Sequence, residues 1–409
     1  MTGDAVVRPL TEAEESAALD LVFSTWPEIP REAQAEMVRR DPWRAEQRTY
    51  VTVLDGELIS HARFHFRPVT LQGCSLRMIG VCEVTTHPNH RRRGLGHRVL
   101  RAALDWMRSA GHHFVLLHTG VNAFYQPLGW GTLDLPRDYH PLASVPRLGT
   151  GSCEIERGSI FASPPELPAV YDESCGRHAL ALKRTPTYWQ SWPHWAKDNL
   201  WFGLLDNHWT VARRGGRVVA YGGLHWSLQR EATPSIREAG ALPGHEDALL
   251  DVFDDLVARA RQVSASDAAL ELNLPGDHPY VSRLASGSDH ARNAGVMGQI
   301  LDLRALLTAL APALNSRAVA LRGNVAITLS SPPHRTTVVA APGQVSLSDA
   351  AGDVRVDLTA AGLACLVLGC RSASDLATAG ELQVNGSSHE ELDILFPCLH
   401  SHYWQIDHF

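Results

Sequence analysis

The 409-residue sequence lacks an apolar run of the length that a membrane-spanning helix requires, which is about 20 residues. Its opening, MTGDAVVRPLTEAEE, lacks a basic segment followed by an apolar core, so no secretory signal peptide is predicted. The seven cysteines are dispersed and contain no Cys-x-x-Cys pair, which favours reduced thiols. We therefore expect a cytoplasmic protein without a membrane span.

The sequence also lacks the ligand spacings of common metal sites. Its 21 histidines include the adjacent His112 and His113, and His400, His402 and His408 near the end. None of these has the His-Glu-x-x-His arrangement of a zinc enzyme. The net charge of -7 argues against a nucleic-acid-binding body. We expect neither a metal nor a nucleic-acid partner.

Residues 84–96 are the most informative stretch that is present, and they read Val-Thr-Thr-His-Pro-Asn-His-Arg-Arg-Arg-Gly-Leu-Gly. They join an apolar strand, predicted over 78–84, to a helix whose apolar residues have helical spacing. Unpaired N–H groups and the helix dipole favour an anion at a helix start. Gly94 and Gly96 permit close approach of the backbone, and the arginines at 91–93 add positive charge. The pattern is typical of a pyrophosphate-binding turn.

The turn is neither Gly-x-x-x-x-Gly-Lys-Ser/Thr nor Gly-x-Gly-x-x-Gly. Residues 91–96 instead resemble the Arg/Gln-x-x-Gly-x-Gly/Ala signature of the GNAT acyltransferases, which bind acetyl-CoA. The alternative is a solvated basic helix start with a glycine turn. A second match follows a predicted strand over 114–118, where Asn122, Tyr125, Gly129 and Trp130 resemble the family pattern at the expected separation.

The resemblance implies acetyl-CoA as cosubstrate and a place for it along the turn. A backbone N–H near Val84 would bind the thioester carbonyl, amides of residues 92–97 the pyrophosphate, and Asn122 the pantetheine arm. The residues expected to contact acetyl-CoA are Val84, Thr85, Thr86, Arg91, Arg92, Arg93, Gly94, Leu95, Gly96, His97 and Asn122.

The length predicts two or three domains, and the pattern of elements divides the chain into three. Residues 1–147 read as a catalytic GNAT domain, in which Thr11 and Glu14 form a capping box. Residues 148–297 show a similar succession of predicted helices and strands but lack a second Arg-x-x-Gly-x-Gly signature. Within them, residues 237–244 are predicted to be an ordinary loop. Residues 298–409 resemble a sterol-carrier-protein-like domain, which is either a simple packed unit or the container of a lipid slot. The expected class is α/β and α+β, with two GNAT-like mixed sheets and flanking helices.

Within the third segment, the spacing of leucines predicts a helix over 302–314. Alternating apolar residues then predict strands over 318–321, 325–329, 336–340, 344–347 and 354–358, followed by helices over 359–368 and 372–379. Tyr403 and Trp404 give the end of the chain an aromatic character, so we expect this tail to dock rather than fray.

The order of these three domains resembles the Eis family of acetyltransferases. The resemblance implies N-acetylation of primary amines, notably aminoglycosides and in some members lysine side chains. It also implies a homo-hexamer, and a C-terminal carboxylate that reaches into the active site of the first domain. In this sequence that carboxylate belongs to Phe409.

The resemblance and ordinary acid–base chemistry name candidates for each proton transfer. A free alkyl amine is mostly protonated near neutral pH, so a base is needed. The Phe409 carboxylate is the first candidate, Glu83 competes with it, and His118 is a third. Tyr125 is the proposed general acid, because the phenol and thiol pKa values are comparable.

The substrate is less defined by the sequence. Glu28 and Asp407 are candidates for negative charge near an amine, whereas Trp26, Trp43 and His408 suggest a pocket more aromatic than acidic. Together with His118, these residues are the predicted substrate-binding set. Two other functions stay open at this point: a natural-product acyltransferase with another acyl donor, and a non-catalytic acyl-CoA-binding or lipid-binding protein.

Overall fold

The computed structural model describes residues 4–27, 31–133, 135–158, 164–191, 208–226, 233–265, 267–284, 289–293, 295–386, 389–404 and 407. These residues form three mixed sheets flanked by helices, and the predicted α/β and α+β class is confirmed. No helix in this described portion is long and apolar enough to cross a membrane.

The strands are numbered along the chain: β1 Val6–Pro9, β2 Arg48–Leu54, β3 Glu57–Leu71, β4 Cys74–Thr86, β5 Phe114–His118, β6 Gly131–Thr132, β7 Leu135–Pro141, β8 Glu154–Gly158, β9 Trp209–Arg214, β10 Arg217–Trp226, β11 Pro234–Ala241, β12 Ala269–Leu272, β13 Asp289–Asn293, β14 Val296–Ile300, β15 Val325–Ser331, β16 His334–Ala341, β17 Gln344–Ser348, β18 Val354–Leu358 and β19 Leu382–Asn385. The helices used below are α1 Glu15–Phe23, α2 Arg31–Arg40, α3 Leu95–Ser109, α4 Asn122–Tyr125, α5 Leu167–Glu173, α6 Glu246–Val263, α7 Pro279–Arg283, α8 Leu303–Ala309, α9 Ala311–Ala318, α10 Ala360–Val367, α11 Ala373–Thr378 and α12 His389–Leu395.

The first sheet has the order β1-β2-β3-β4-β5-β14-β6, with β4 and β5 parallel at its centre. Helix α3 packs on one face because its apolar stripe meets Ala62, Phe64 and Phe66 of β3. The alternate residues of β3 are polar and lie on the other face, where Arg63 binds Glu15 of α1. One face of β3 therefore carries apolar side chains, and the other carries polar side chains.

The second sheet has the order β13-β7-β12-β11-β10-β9-β8, and it exchanges strands with the first. Strand β7 leaves the first segment of the chain and pairs with β12 and β13, whereas β14 returns to pair with β5 and β6. One buried cluster runs through both sheets, from Phe64 to Phe253. The two sheets thus share one core, and the division at residues 147 and 297 stays a prediction.

The third sheet has the order β17-β16-β15-β18-β19. Its leucine-rich core continues into the first sheet, since Leu306, Leu329 and Leu363 share one cluster with Met78 and Phe114. The third unit is therefore packed directly against the back of the first sheet. A lipid slot in this unit remains untested.

Several element predictions need correction. Residues 318–321 were expected to be a strand, but they form the end of α9 and a turn. The helix predicted over 302–314 is divided into α8 and α9, and it begins after Asp302, whose side chain accepts from Ala305 N–H at 2.9 Å. Residues 237–241 were expected to be loop, but they belong to the buried strand β11.

Candidate active site

A gap opens in the first sheet where β4 and β5 stop pairing. Their parallel ladder ends with Val81 opposite Leu117, although β4 continues to Thr86 and β5 to His118. Backbone groups beyond the last pair are no longer satisfied by the neighbouring strand. The C-terminal ends of β4 and β5 therefore present backbone N–H and C=O groups at the edge where α3 begins.

A bulge in β4 lies at this gap. Two residues, Glu83 and Val84, stand opposite the single residue Ala62 of β3. Glu83 has a φ of 53°, which is unusual for a residue with a side chain and costs of order 1 kcal/mol. A bulge of this kind redirects side chains and backbone groups. It takes the Val84 N–H group out of the β3–β4 ladder.

The start of α3 has the geometry of an anion site. Its first helical hydrogen bond runs from Arg98 N–H to Gly94 O at 3.1 Å. The N–H groups of Leu95, Gly96 and His97 therefore precede the helical ladder. Gly94 has a φ of 73°, a left-handed conformation that glycine adopts without strain.

Gly96 lies close to a neighbouring ring. A Cβ atom at this position would lie 3.0 Å from Phe124 Cζ and 3.6 Å from Thr86 Oγ1. A side chain here would crowd the passage between the turn and α4, so the absence of a Cβ keeps that passage open. The turn fits a pyrophosphate bound through main-chain N–H groups.

The side chains of the turn have mixed roles. Those of residues 91–93 are exposed, and Arg91 Nε donates to Thr86 O at 3.1 Å, which ties the turn to the end of β4. The His97 imidazole lies 2.7 Å from Phe124 O and contacts the Phe124 ring at 4.5 Å between centroids. The side chain of His97 therefore supports α4, and its backbone N–H is the group available at the helix start.

Tyr125 is buried at the end of α4. Its ring contacts Phe124 at 4.9 Å and Trp130 at 5.9 Å, and Thr119 hydrogen-bonds to its phenol. Burial raises the pKa of Tyr125 to about 12, although the Thr119 hydrogen bond lowers it in part. The phenol therefore keeps its proton, and its acidity is weaker than the thiol-like value expected from the sequence.

Asn122 begins α4 and is tied to the sheet. Its Nδ2 donates to Thr132 Oγ1 of β6 at 3.1 Å. This bond fixes α4 against the first sheet, so Asn122 and Tyr125 are presented by one short, anchored helix beside the gap.

Glu83 is held in a buried ion pair. Its carboxylate accepts from Arg63 Nε at 2.8 Å and from Gln34 Nε2, and His61 Nε2 lies 3.8 Å away. Burial would raise the pKa of Glu83, but Arg63 and His61 outweigh it and lower the pKa to about 2. A carboxylate in this state is a weak base.

The structure reveals a polar row on β3 that was not predicted. His61, Arg63, His65 and Arg67 share one face of the strand and are all buried. His65 Nδ1 lies 3.2 Å from Asp41, and Arg67 Nη2 binds the same carboxylate at 2.7 Å. The alternation of these residues with Ala62, Phe64 and Phe66 was the available signal, because a buried strand seldom carries polar residues at every second position.

The predicted substrate-binding residues come from separate elements of the described structure. Trp26 is half-buried after α1, and His118 is exposed at the end of β5. Trp43 is buried, with its ring 5.6 Å from that of Tyr188 and Arg67 over its face at 5.3 Å. Glu28, His408 and Phe409 lie outside the described residues, so their predicted roles stay predictions.

Asp407 is buried in an ion pair rather than exposed in a cleft. Its carboxylate oxygens accept from Arg184 Nε and Nη2, both at 2.9 Å, and from Tyr188 OH at 2.8 Å. Arg184 also binds Glu238. Tyr403 and Trp404 are buried nearby in sequence, so the described part of the tail is docked.

Comparison with known proteins agrees with this geometry. Residues 6–133 match a family described as Acetyltransferase (GNAT) domain, so this part of the chain is similar to acetyltransferase domains of GNAT type. An uncharacterized N-acetyltransferase of Streptomyces coelicolor is 25% identical over 201 residues. That alignment covers 47% of this chain and 48% of the relative, so the chain spans about half the length of the curated protein it matches.

Solved structures resemble the whole chain in fold. A probable N-acyltransferase of Enterococcus faecalis has a TM-score of 0.77 at 17% identity, with 100% of each chain covered. A GCN5-related N-acetyltransferase of Anabaena variabilis has a TM-score of 0.76 at 13% identity, covering 99% of this chain and 100% of its own. Eis1 of Mycobacterium abscessus has a TM-score of 0.70 at 17% identity, with the same coverage.

Proposed function

We propose that this protein transfers the acetyl group of acetyl-CoA to the nitrogen of a primary amine in its first unit. The observation that carries the proposal is the gap between β4 and β5, which opens beside the start of α3, where the first N–H groups precede the helical ladder. An acyl-CoA needs both features, because its pyrophosphate and its thioester arm must be held at once. The match of residues 6–133 to a GNAT domain supports the same reading.

Acetyl-CoA supplies an activated acetyl group as a thioester. In the proposal, the N–H groups of Leu95, Gly96 and His97 hold its pyrophosphate, with positive charge added by residues 91–93. The Val84 N–H donates to the carbonyl oxygen, on which negative charge develops when the amine attacks. The bulge supports this role because it takes that N–H out of the strand ladder.

Tyr125 is the proposed proton donor to the departing thiolate. Because burial raises its pKa to about 12, it is fully protonated at neutral pH and provides a hydrogen bond to sulfur as charge develops there. Its three aromatic and hydroxyl neighbours, Phe124, Trp130 and Thr119, hold the ring in place.

The Phe409 α-carboxylate is the proposed base that takes one proton from the substrate ammonium, directly or through water, so that the free amine can attack. The second proton, which nitrogen loses as the amide forms, restores the phenol of Tyr125 after it has protonated the thiolate. Docking of Tyr403 and Trp404 supports Phe409 as the base, because the tail is thereby fixed a few residues earlier. Glu83 is the weaker candidate, since its ion pair with Arg63 lowers its pKa to about 2.

For the acceptor, we propose a primary amine with one positive charge and an aromatic or apolar body. Two buried carboxylates described on this side of β3 are already paired: Glu83 with Arg63, and Asp41 with Arg67. A polycation such as an aminoglycoside requires several unpaired carboxylates, so aminoglycosides and lysine side chains are the lesser candidates here.

The experiment is thiol release from acetyl-CoA with a panel of amines, with mass spectrometry of the product. The panel contains aryl-alkyl monoamines, polyamines, aminoglycosides and lysine peptides. Release that depends on the amine, with a product heavier by one acetyl group, supports the proposal. Strongest activity with aminoglycosides would overturn the acceptor assignment, and release without any acetylated product would overturn amine transfer itself.

The assembly rests on the resemblance to the Eis family alone, whereas the compartment rests on the dispersed cysteines, which favour reduced thiols. We propose a homo-hexamer in the cytoplasm. Sedimentation of the full chain at micromolar concentration tests the first point, and a monomer would overturn it.

A further inference from the structure

Arg184 binds two buried carboxylates that come from different parts of the chain. Asp407 accepts from Nε and Nη2 at 2.9 Å, and Glu238 of β11 accepts from Nη1 at 3.0 Å and from Nη2. Tyr188 OH donates to Asp407 at 2.8 Å, and Tyr221 OH donates to Glu238 at 2.7 Å. All three charged side chains are almost fully buried, so each depends on the others for its partners.

The segment that carries Arg184 is attached to the far end of β3. Leu180 N–H donates to Thr70 O at 2.7 Å, and Lys183 N–H donates to Pro68 O at 2.8 Å. These bonds add a short stretch of the second unit to the edge of the strand that carries the buried polar row. Arg184 is thereby fixed close to Arg67, at the end of that row.

The tail of the chain lies on the same segment. His402 N–H donates to Ala179 O at 2.8 Å, and Trp404 Nε1 donates to Cys175 O at 3.1 Å. Asp407 then closes onto Arg184, and its own carbonyl accepts from Tyr403 OH at 2.6 Å. The tail is thus held at two places, at His402 and Trp404 and again at Asp407, which is its last described residue.

The two carboxylates that bind Arg184 connect it to different parts of the protein. Glu238 lies within the second sheet, between β10 and β12, whereas Asp407 lies at the end of a separate tail. If Asp407 is removed, Arg184 keeps Glu238 as a bidentate partner, so the interior retains a paired charge. The buried charge of Arg184 therefore stays paired even without its contact to Asp407.

We propose that Arg184 is a positioning residue that latches the tail through Asp407 and fixes the point from which residues 408 and 409 continue. Two residues span at most about 7 Å between Cα atoms, so fixing Asp407 limits how far the end of the chain can move. This inference rests on the proposed function for the role of Phe409 in catalysis, but not for the latch itself.

The test compares two variants that remove one carboxylate each from the same guanidinium, Asp407→Asn and Glu238→Gln. Hydrogen–deuterium exchange is measured over a peptide covering residues 399–409 in the full chain, and kcat and KM are measured for both substrates. We expect exchange in this peptide to be about tenfold faster in Asp407→Asn and close to wild type in Glu238→Gln. We also expect kcat to fall in Asp407→Asn alone, with KM for acetyl-CoA unchanged and partial rescue by added acetate.

The outcomes separate the latch from the enzyme activity. Equal tail exchange in wild type and Asp407→Asn would overturn the latch, as would equal acceleration in both variants, which a merely structural cluster predicts. Faster tail exchange with unchanged kcat would keep the latch and overturn the role of Phe409 as base. Because the exchange measurement needs no turnover, it stands even if no amine is acetylated.

Discussion

Arg63 of β3 binds Glu83 of the β4 bulge through a buried 2.8 Å contact between Nε and Oε2. The pair fixes the bulge against the strand behind it and keeps Glu83 ionised. Because the carboxylate is already satisfied by Arg63 and Gln34, it has little tendency to take a proton from an amine. Glu83 therefore serves mainly to shape the gap between β4 and β5.

Replacing Glu83 by Gln should leave the acid–base chemistry largely intact. A general base contributes about 10²- to 10⁴-fold to the rate, and we expect Glu83→Gln to lower kcat by less than about tenfold. The acid limb of the kcat/KM profile against pH should persist. Glu15→Gln is the matched control, since Glu15 is the other carboxylate on Arg63, at 3.1 Å. Disappearance of the acid limb in Glu83→Gln alone would identify Glu83 as the base.

Replacing Tyr125 by Phe should remove the proton donor but keep the ring packing. We expect kcat to fall about 10²- to 10⁴-fold while the affinity for acetyl-CoA, measured by calorimetry, is unchanged. Tyr50→Phe is the control, because Tyr50 is a half-buried phenol that packs on Phe64 and Trp106 away from the gap. Full activity of the Tyr125 variant would show that water protonates the thiolate.

Gly94 and Gly111 flank α3 with nearly the same backbone conformation, at φ values of 73° and 72°. A Cβ atom added at either glycine would meet no neighbouring atom within 4 Å, so Ala at either site brings only left-handed strain, about 1 kcal/mol. We expect both variants to lose similar stability in urea. Only Gly94→Ala should raise KM for acetyl-CoA, by roughly tenfold, because the strain displaces the pyrophosphate turn. Equal KM values in the two variants would contradict the placement of that turn.

The burial of His61 should lower the free energy of unfolding in mild acid. Burial lowers the pKa of His61 from its ordinary 6.5 to about 4, against the opposing effect of Glu83. Between these pH values the unfolded chain binds more protons than the folded one, so the free energy of unfolding falls as the pH is lowered from about 6.5 to about 4. Urea unfolding at pH 7, 5.5 and 4.5 measures the slope, which His61→Gln should flatten. Identical slopes for the two proteins would show that His61 binds protons equally in the folded and unfolded chains.

The elements around the glycine-containing turn before α3 could be predicted because their signals are local. Helix α3 begins at Leu95 and carries one apolar stripe, strand β5 occupies Phe114–His118, and Thr11 with Glu14 forms the expected capping box. Each of these depends on spacing within a few residues, which the sequence displays directly.

Strand β11 could not be predicted from its own residues, which include proline, serine, arginine and glycine. It lies between β10 and β12, and its small residues are needed for packing: a Cβ at Gly240 would lie 2.4 Å from Ser174 Oγ. A central strand read alone therefore resembles a loop, because its stability comes from neighbours distant in sequence.

The ion pairs of the site were also beyond prediction. Arg184 and Asp407 are 223 residues apart, and Asp407 was expected to face a substrate. Nothing in the local sequence of either residue indicates the other, and the exchange of β7 and β14 between sheets is equally non-local. The alternation of His61 to Arg67 with apolar residues was a readable signal of the polar face, but it does not name the partners.

The most direct test of amine acetylation at the gap is thiol release from acetyl-CoA by wild type and Tyr125→Phe, each with and without an aryl-alkyl amine. We predict release by wild type only when the amine is present, with one acetylated amine formed for each thiol, and a loss of about 10²-fold or more in the variant. Binding of acetyl-CoA without release in the presence of any tested amine, or equal release by both proteins, would contradict the account.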